Sequence, residues 1–139
     1  MTEDIRWKQR FNNLQLVYAR LCKTVAAHAD FPDDEMIQMA LVKSFEMTFE
    51  LAWKTTKDYL KFNGIDVKLP REVIKQAFAN DIIIDGQIWI DMLENRNVMA
   101  HVYDEALAHE TVRRICQNYM SALQQLHDFL MERVPLCLV

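Results

Sequence analysis

Apolar residues recur every three or four positions through most of the chain, the spacing of helices that bury one side. The first predicted helix runs from about Glu3 to His28, with Ile5, Phe11, Leu14, Tyr18, Leu21, Cys22 and Val25 in step. Arg6, Lys8, Arg10, Arg20 and Lys23 fill much of its remainder. Asp30-Phe31-Pro32 breaks it, and Pro32 suits the first turn of the next helix, where Asp33, Asp34 and Glu35 complement the positive end. That second helix spans roughly Asp33 to Phe62 and carries a wide apolar face: Met36, Met39, Ala40, Val42, Phe45, Phe49, Ala52, Trp53 and Leu60. Asn63-Gly64 is a fitting stop, because glycine enters the left-handed region freely.

Leu69-Pro70-Arg71-Glu72 opens a shorter third helix with Val73, Ile74, Ala77 and Phe78 on its apolar side. Ile82-Ile83-Ile84 has no evident strand partner and reads as a helix end and buried connector. Asp85 is the expected N-cap of a fourth helix, packed through Ile88, Trp89, Met92, Leu93 and Met99. A last helix is expected from about Asp104 to Arg133, on the period of Leu107, Val112, Ile115, Cys116, Tyr119, Leu123, Leu126, Phe129 and Leu130, with Pro135 ending it. Long helices with short connections fold back on one another. The expected fold is therefore all-α: an antiparallel up-and-down bundle of four long helices and a short one, forming a single domain over residues 1–139. Two glycines and three prolines leave few turns, in keeping with few, long elements.

Charge narrows the function. The formal net charge is −4, whereas proteins that coat nucleic acid are usually basic, so any RNA contact must come from a local patch. Cys22, Cys116 and Cys137 have no metal or redox spacing and read as reduced thiols of a cytoplasmic protein. No signal peptide or bilayer-length apolar run is present, so no membrane partner is expected. No glycine-rich phosphate loop or zinc cluster occurs, and no cofactor is expected.

One stretch stands apart from this scaffold: Glu94-Asn95-Arg96-Asn97-Val98-Met99-Ala100-His101-Val102-Tyr103, late in the fourth helix. Asn97 and His101 are four apart, one above the other, so the amide can orient the imidazole. Asp104, or Glu105, can hold the other ring nitrogen if the helix continues. Arg96 and His101 lie about 140° apart around the axis and do not overlap directly. A guanidinium and an imidazole suit RNA cleavage: a base takes the 2′-hydroxyl proton and a fixed cation meets the growing phosphate charge. Concerted cleavage wants both a base and an acid, which two copies of the motif across a twofold axis would supply. A lone arginine and histidine on a helix are also common as plain surface residues. His28, His109 and His127 have no comparable company. Glu46, Glu50 and Lys54, four apart on the second helix, read either as a solvated stripe with a Glu50–Lys54 pair or as a polar seam facing the fourth helix.

Arg96-Asn97-Val98-Met99-Ala100-His101-Val102-Tyr103 resembles the Arg-x4-His-x-Tyr motif of the HepT toxins of the HEPN superfamily. Phe45 to Lys54, Pro70 to Ile74 and Asp85 to Trp89 are similar to the small bacterial proteins described as nucleotidyltransferase substrate-binding. The resemblance implies a helical bundle that dimerises so that two motifs meet in a cleft. In it Arg96 and His101 would carry metal-independent ribonuclease chemistry, with Asn97 as the polar residue beside the arginine. Tyr103 matches the tyrosine that a minimal nucleotidyltransferase partner modifies with AMP in such toxin–antitoxin pairs. A second reading makes the chain a non-catalytic subunit presenting substrate to that nucleotidyltransferase. A third makes it a helical adaptor whose polar stretch only forms a dimer interface.

Overall fold

The structure, a computed structural model, describes residues 2–101 and 104–134. Its elements are α1 (Glu3–Asp30), α2 (Glu35–Phe62), α3 (Pro70–Ala79), α4 (Gly86–His101), α5 (Glu105–Arg114), a π turn (Ile115–Tyr119) and α6 (Met120–Arg133). No strand occurs among the described residues, and Ile82-Ile83 form the buried connector expected, whereas Ile84, expected with them, is exposed. α5, the π turn and α6 follow without a break, so the expected last helix is one rod with a wide turn inside it.

α1 and α2, each 28 residues and so about 42 Å long, form an antiparallel hairpin. Thr2 caps α1 by accepting from the Ile5 amide, and Asp34 caps α2 by accepting from the amides of Met36 and Ile37 at 2.9 and 3.1 Å. α2 therefore starts at Glu35, and Pro32 lies in the turn rather than in the first helical turn. α2 ends as expected at Asn63-Gly64: Gly64 has φ +86°, and the Ile65 amide reaches back to the Leu60 carbonyl at 2.9 Å. The same closure ends α3, with Asp81 at φ +60° where glycine would be usual, and the Ile82 amide on the Ala77 carbonyl at 2.9 Å. The C-terminal rod runs antiparallel to α1: Gln15 meets Met131 and the Tyr18 hydroxyl donates to Gln124 at 2.6 Å.

The core lies where the hairpin meets α4 and the C-terminal rod. Phe45 stacks on Tyr119 with ring centroids 5.2 Å apart, and Phe49 packs on Trp89 at 6.1 Å. Trp7, Phe11, Leu14, Tyr18 and Leu21 are the buried stripe of α1, whereas Ile5 and Cys22, expected on it, are exposed. Met36 and Met39 are likewise exposed; Leu41, Val42 and Phe45 begin the buried face of α2. The period continues at these positions, but their side chains stay outside the core. Three buried threonines of α2, Thr48, Thr55 and Thr56, return their hydroxyls to the carbonyls of Ser44, Leu51 and Ala52 and so leave no donor unmet.

Candidate functional site

α4 holds the polar stretch between two fixed supports. On one side, Asn95 is buried against the C-terminal rod. Its amide donates to the Thr111 hydroxyl at 2.9 Å, and its carbonyl oxygen accepts from the Tyr119 hydroxyl at 3.1 Å. Thr111 in turn donates to the Leu107 carbonyl. Burial keeps the Tyr119 hydroxyl protonated beyond its ordinary range, against an opposing pull from Arg114, so it stays a donor. The π turn ends at Tyr119 and delivers this hydroxyl to α4. Such turns are frequent at functional sites.

On the other side, Arg96 leans on α2. Its Nη2 lies 2.7 Å from Oε1 of Glu50, and its Nη1 donates to Oδ1 of Asn97 at 3.0 Å. The guanidinium carbon sits 5.9 Å from the Phe49 ring centroid, and Nε is buried with no hydrogen-bond partner among the described residues. Glu50 is itself held: its Oε2 accepts from the Trp53 indole N–H at 3.1 Å and lies 3.7 Å from Lys54 Nζ. The stripe of α2 is thus a polar seam facing α4 at Glu50, as well as the site of the Glu50–Lys54 pair. Arg96 keeps a quarter of its side chain in solvent.

His101 is the last residue of α4 and is exposed. Two expected supports for it are replaced. Asn97 spends its acceptor on Arg96, the neighbouring cation, rather than on the imidazole. Asp104 was expected to hold the second ring nitrogen of His101 on a continuing helix; instead the helix ends at His101, and Asp104 is the N-cap of α5, its Oδ1 accepting from the Leu107 amide at 2.7 Å. Asp104 adopts extended backbone there, so it does not stack one turn above His101. Tyr103 lies outside the described residues. Within one chain, Arg96 and His101 do not meet: one turns to α2 and the other projects from the helix end.

The residue that sequence reasoning passed over is Asn95. An amide amid Met92, Leu93 and Met99, on a helix's packing side, is a signal for a buried polar anchor. Among the described residues no set of three or more His, Cys, Asp or Glu is placed to hold a metal ion, and no helix is long and apolar enough to cross a membrane.

Fold and site together define a helical bundle built to present a short polar motif at the end of its fourth helix. The chain belongs to the family described as nucleotidyltransferase substrate binding protein like, which matches residues 9–132. A Thermus thermophilus protein is 25% identical with a TM-score of 0.73, over 88% of this chain and 99% of that one. A Haemophilus influenzae protein described as having the fold of a nucleotidyltransferase substrate binding domain superimposes with a TM-score of 0.76 at 20% identity, over 87% and 98%. A Shewanella oneidensis HEPN toxin, tri-AMPylated and in complex with its MNT antitoxin, gives 0.72 at 15% identity, over 91% and 96%. These last two likenesses are of fold. Among curated proteins none matches.

Proposed function

We propose that the chain is the RNA-cleaving member of a pair whose other member is a small nucleotidyltransferase. The observation that carries this reading is the state of Arg96: a guanidinium fixed on two edges, partly open to solvent, about one turn and a half before an exposed histidine. Two copies, related by a twofold axis along α4, bring the arginines and histidines of both chains to one phosphodiester. One His101 takes the proton of the ribose 2′-hydroxyl, whose oxygen then bonds to phosphorus. The bond from phosphorus to the 5′-oxygen breaks, and the second His101 returns a proton to that leaving oxygen. The products are a 2′,3′-cyclic phosphate and a 5′-hydroxyl end. Arg96 meets the charge that builds on the phosphate oxygens. Transfer of AMP to Tyr103 by the partner would place a phosphate diester beside this cleft and block it.

A second reading is favoured by the family match and by the separation of Arg96 from His101 within one chain. In it the chain presents a substrate to the nucleotidyltransferase and cleaves nothing. One experiment separates the two. Purified protein is incubated with RNA in chelator beside Arg96→Ala and His101→Ala. Cyclic-phosphate ends from the wild type alone support cleavage. Intact RNA in every lane, with tight binding to a nucleotidyltransferase, supports presentation. Mass spectrometry after incubation with that partner and ATP tests Tyr103, with Tyr103→Phe as the control.

A further inference from the structure

We infer that Glu50 is a positioning residue for the reaction: its carboxylate, locked by the Trp53 indole, holds the Arg96 guanidinium in the attitude that meets the transition state. This rests on the ribonuclease reading.

The geometry has three parts. Trp53 is buried and its indole N–H donates to Oε2 of Glu50 at 3.1 Å, which fixes the carboxylate on the surface of α2. Oε1 of that carboxylate then engages Nη2 of Arg96 at 2.7 Å, a charge-assisted bond between helices. Asn97 holds Nη1 at 3.0 Å, so both terminal nitrogens are pinned and the plane of the guanidinium cannot turn. Nε is buried and the guanidinium carbon lies 5.9 Å from the Phe49 ring centroid, so the N–H bonds of the two terminal nitrogens not used by Glu50 and Asn97 are the donors left for a phosphate. Those donors suit two oxygens of one phosphate.

The carboxylate has a second effect. It cancels much of the cation's field at a distance, and the chain already carries a net charge of −4. That negative charge is felt by ground state and transition state alike, so what the pair contributes to turnover is the fixed direction of the guanidinium N–H bonds, not the charge. An interaction stronger in the transition state than in the ground state is what raises turnover. Glu46, one turn earlier on the same stripe, makes no ion pair among the described residues and is the natural control for charge alone.

The test compares Glu50→Gln, Glu50→Ala and Glu46→Gln with the wild type. Glu50→Gln and Glu50→Ala should bind a short RNA several-fold more tightly yet turn over roughly 10- to 100-fold more slowly, the scale of a lost orientation. Glu46→Gln should leave turnover near wild type. A Glu50 variant with unchanged turnover overturns the inference while leaving the nuclease reading intact, and so does a Glu46→Gln that matches Glu50→Gln in both parameters. A spectroscopic readout stands apart from activity: in 15N NMR the Arg96 side-chain resonances should show slow guanidinium rotation in the wild type and fast rotation in Glu50→Ala. Fast rotation in the wild type sinks the positioning role. A wild type that leaves RNA intact removes the nuclease reading, and this inference with it.

Discussion

Asn95 joins α4 to the C-terminal rod, and replacing it with alanine isolates what that joint contributes. The residue is 4% exposed, so its two hydrogen bonds are made almost wholly out of solvent. Asn95→Ala strands the buried Tyr119 hydroxyl, which has no other acceptor among the described residues, and deprives Thr111 of a donor. Thr111 still donates to the Leu107 carbonyl, so its loss is the smaller one. A buried donor left unmet costs about 1–3 kcal/mol, and the vacated volume adds about 1 kcal/mol, for a total of about 2–4 kcal/mol. At roughly 3 °C per kcal/mol for a domain of this size, Tm should fall by about 6–12 °C. Tyr119→Phe removes the donor that Asn95→Ala strands, so the double variant should be less destabilised than the sum of the singles, by about 1 kcal/mol. Denaturant melts of the four proteins give the cycle. An Asn95→Ala within 0.5 kcal/mol of wild type, or strict additivity with Tyr119→Phe, refutes the account of this joint.

Two further outcomes follow from the geometry. Asp81 holds φ +60° in the turn that ends α3, so Asp81→Gly should raise stability by about 0.5–1 kcal/mol in denaturant melts, since glycine relieves the left-handed strain there. Glu110 accepts from Arg113 and Arg114, and the Arg113 hydrogen bond is the larger cause that lowers its carboxyl from 4.5 to about 2. Because the folded value is the depressed one, the stabilisation is fully present above about 4.5 and is lost as pH falls toward 2; a carbon-detected NMR titration of the Glu110 carboxyl should show its midpoint far below that of Asp or Glu side chains without partners.

The helices were legible because a 3.6-residue period repeated over 28 residues admits few other readings. Helix ends were less so. Met36 and Met39 keep the period of α2 but stay exposed, and no local pattern carries that information. Asp104 looked like a histidine partner only while α4 was taken to continue; a break between His101 and Glu105 turned it into a cap, a role aspartate fills as readily. Arg96 and His101 were visible as chemical types in a row. Glu50 was readable as one member of a stripe that could face the fourth helix, but its pairing with Arg96 was not, since the two belong to different helices and no spacing rule connects them. The π turn also hid: Val112, Ile115, Tyr119, Leu123 and Leu126 keep steps of three and four straight through it.

That extra residue in the C-terminal rod sets the angular frame of everything after it. A tight α turn in the same place would rotate the following fourteen residues by about 100°, swinging Leu123, Leu126 and Leu130 off the seam they fill against the hairpin and bringing their sequence neighbours in their stead. The segment Ile115–Tyr119 therefore acts as a phase adjuster. One continuous rod with this wide turn inside it serves two clients: the polar joint with α4 before the turn's end and the leucine seam with α1 and α2 after it.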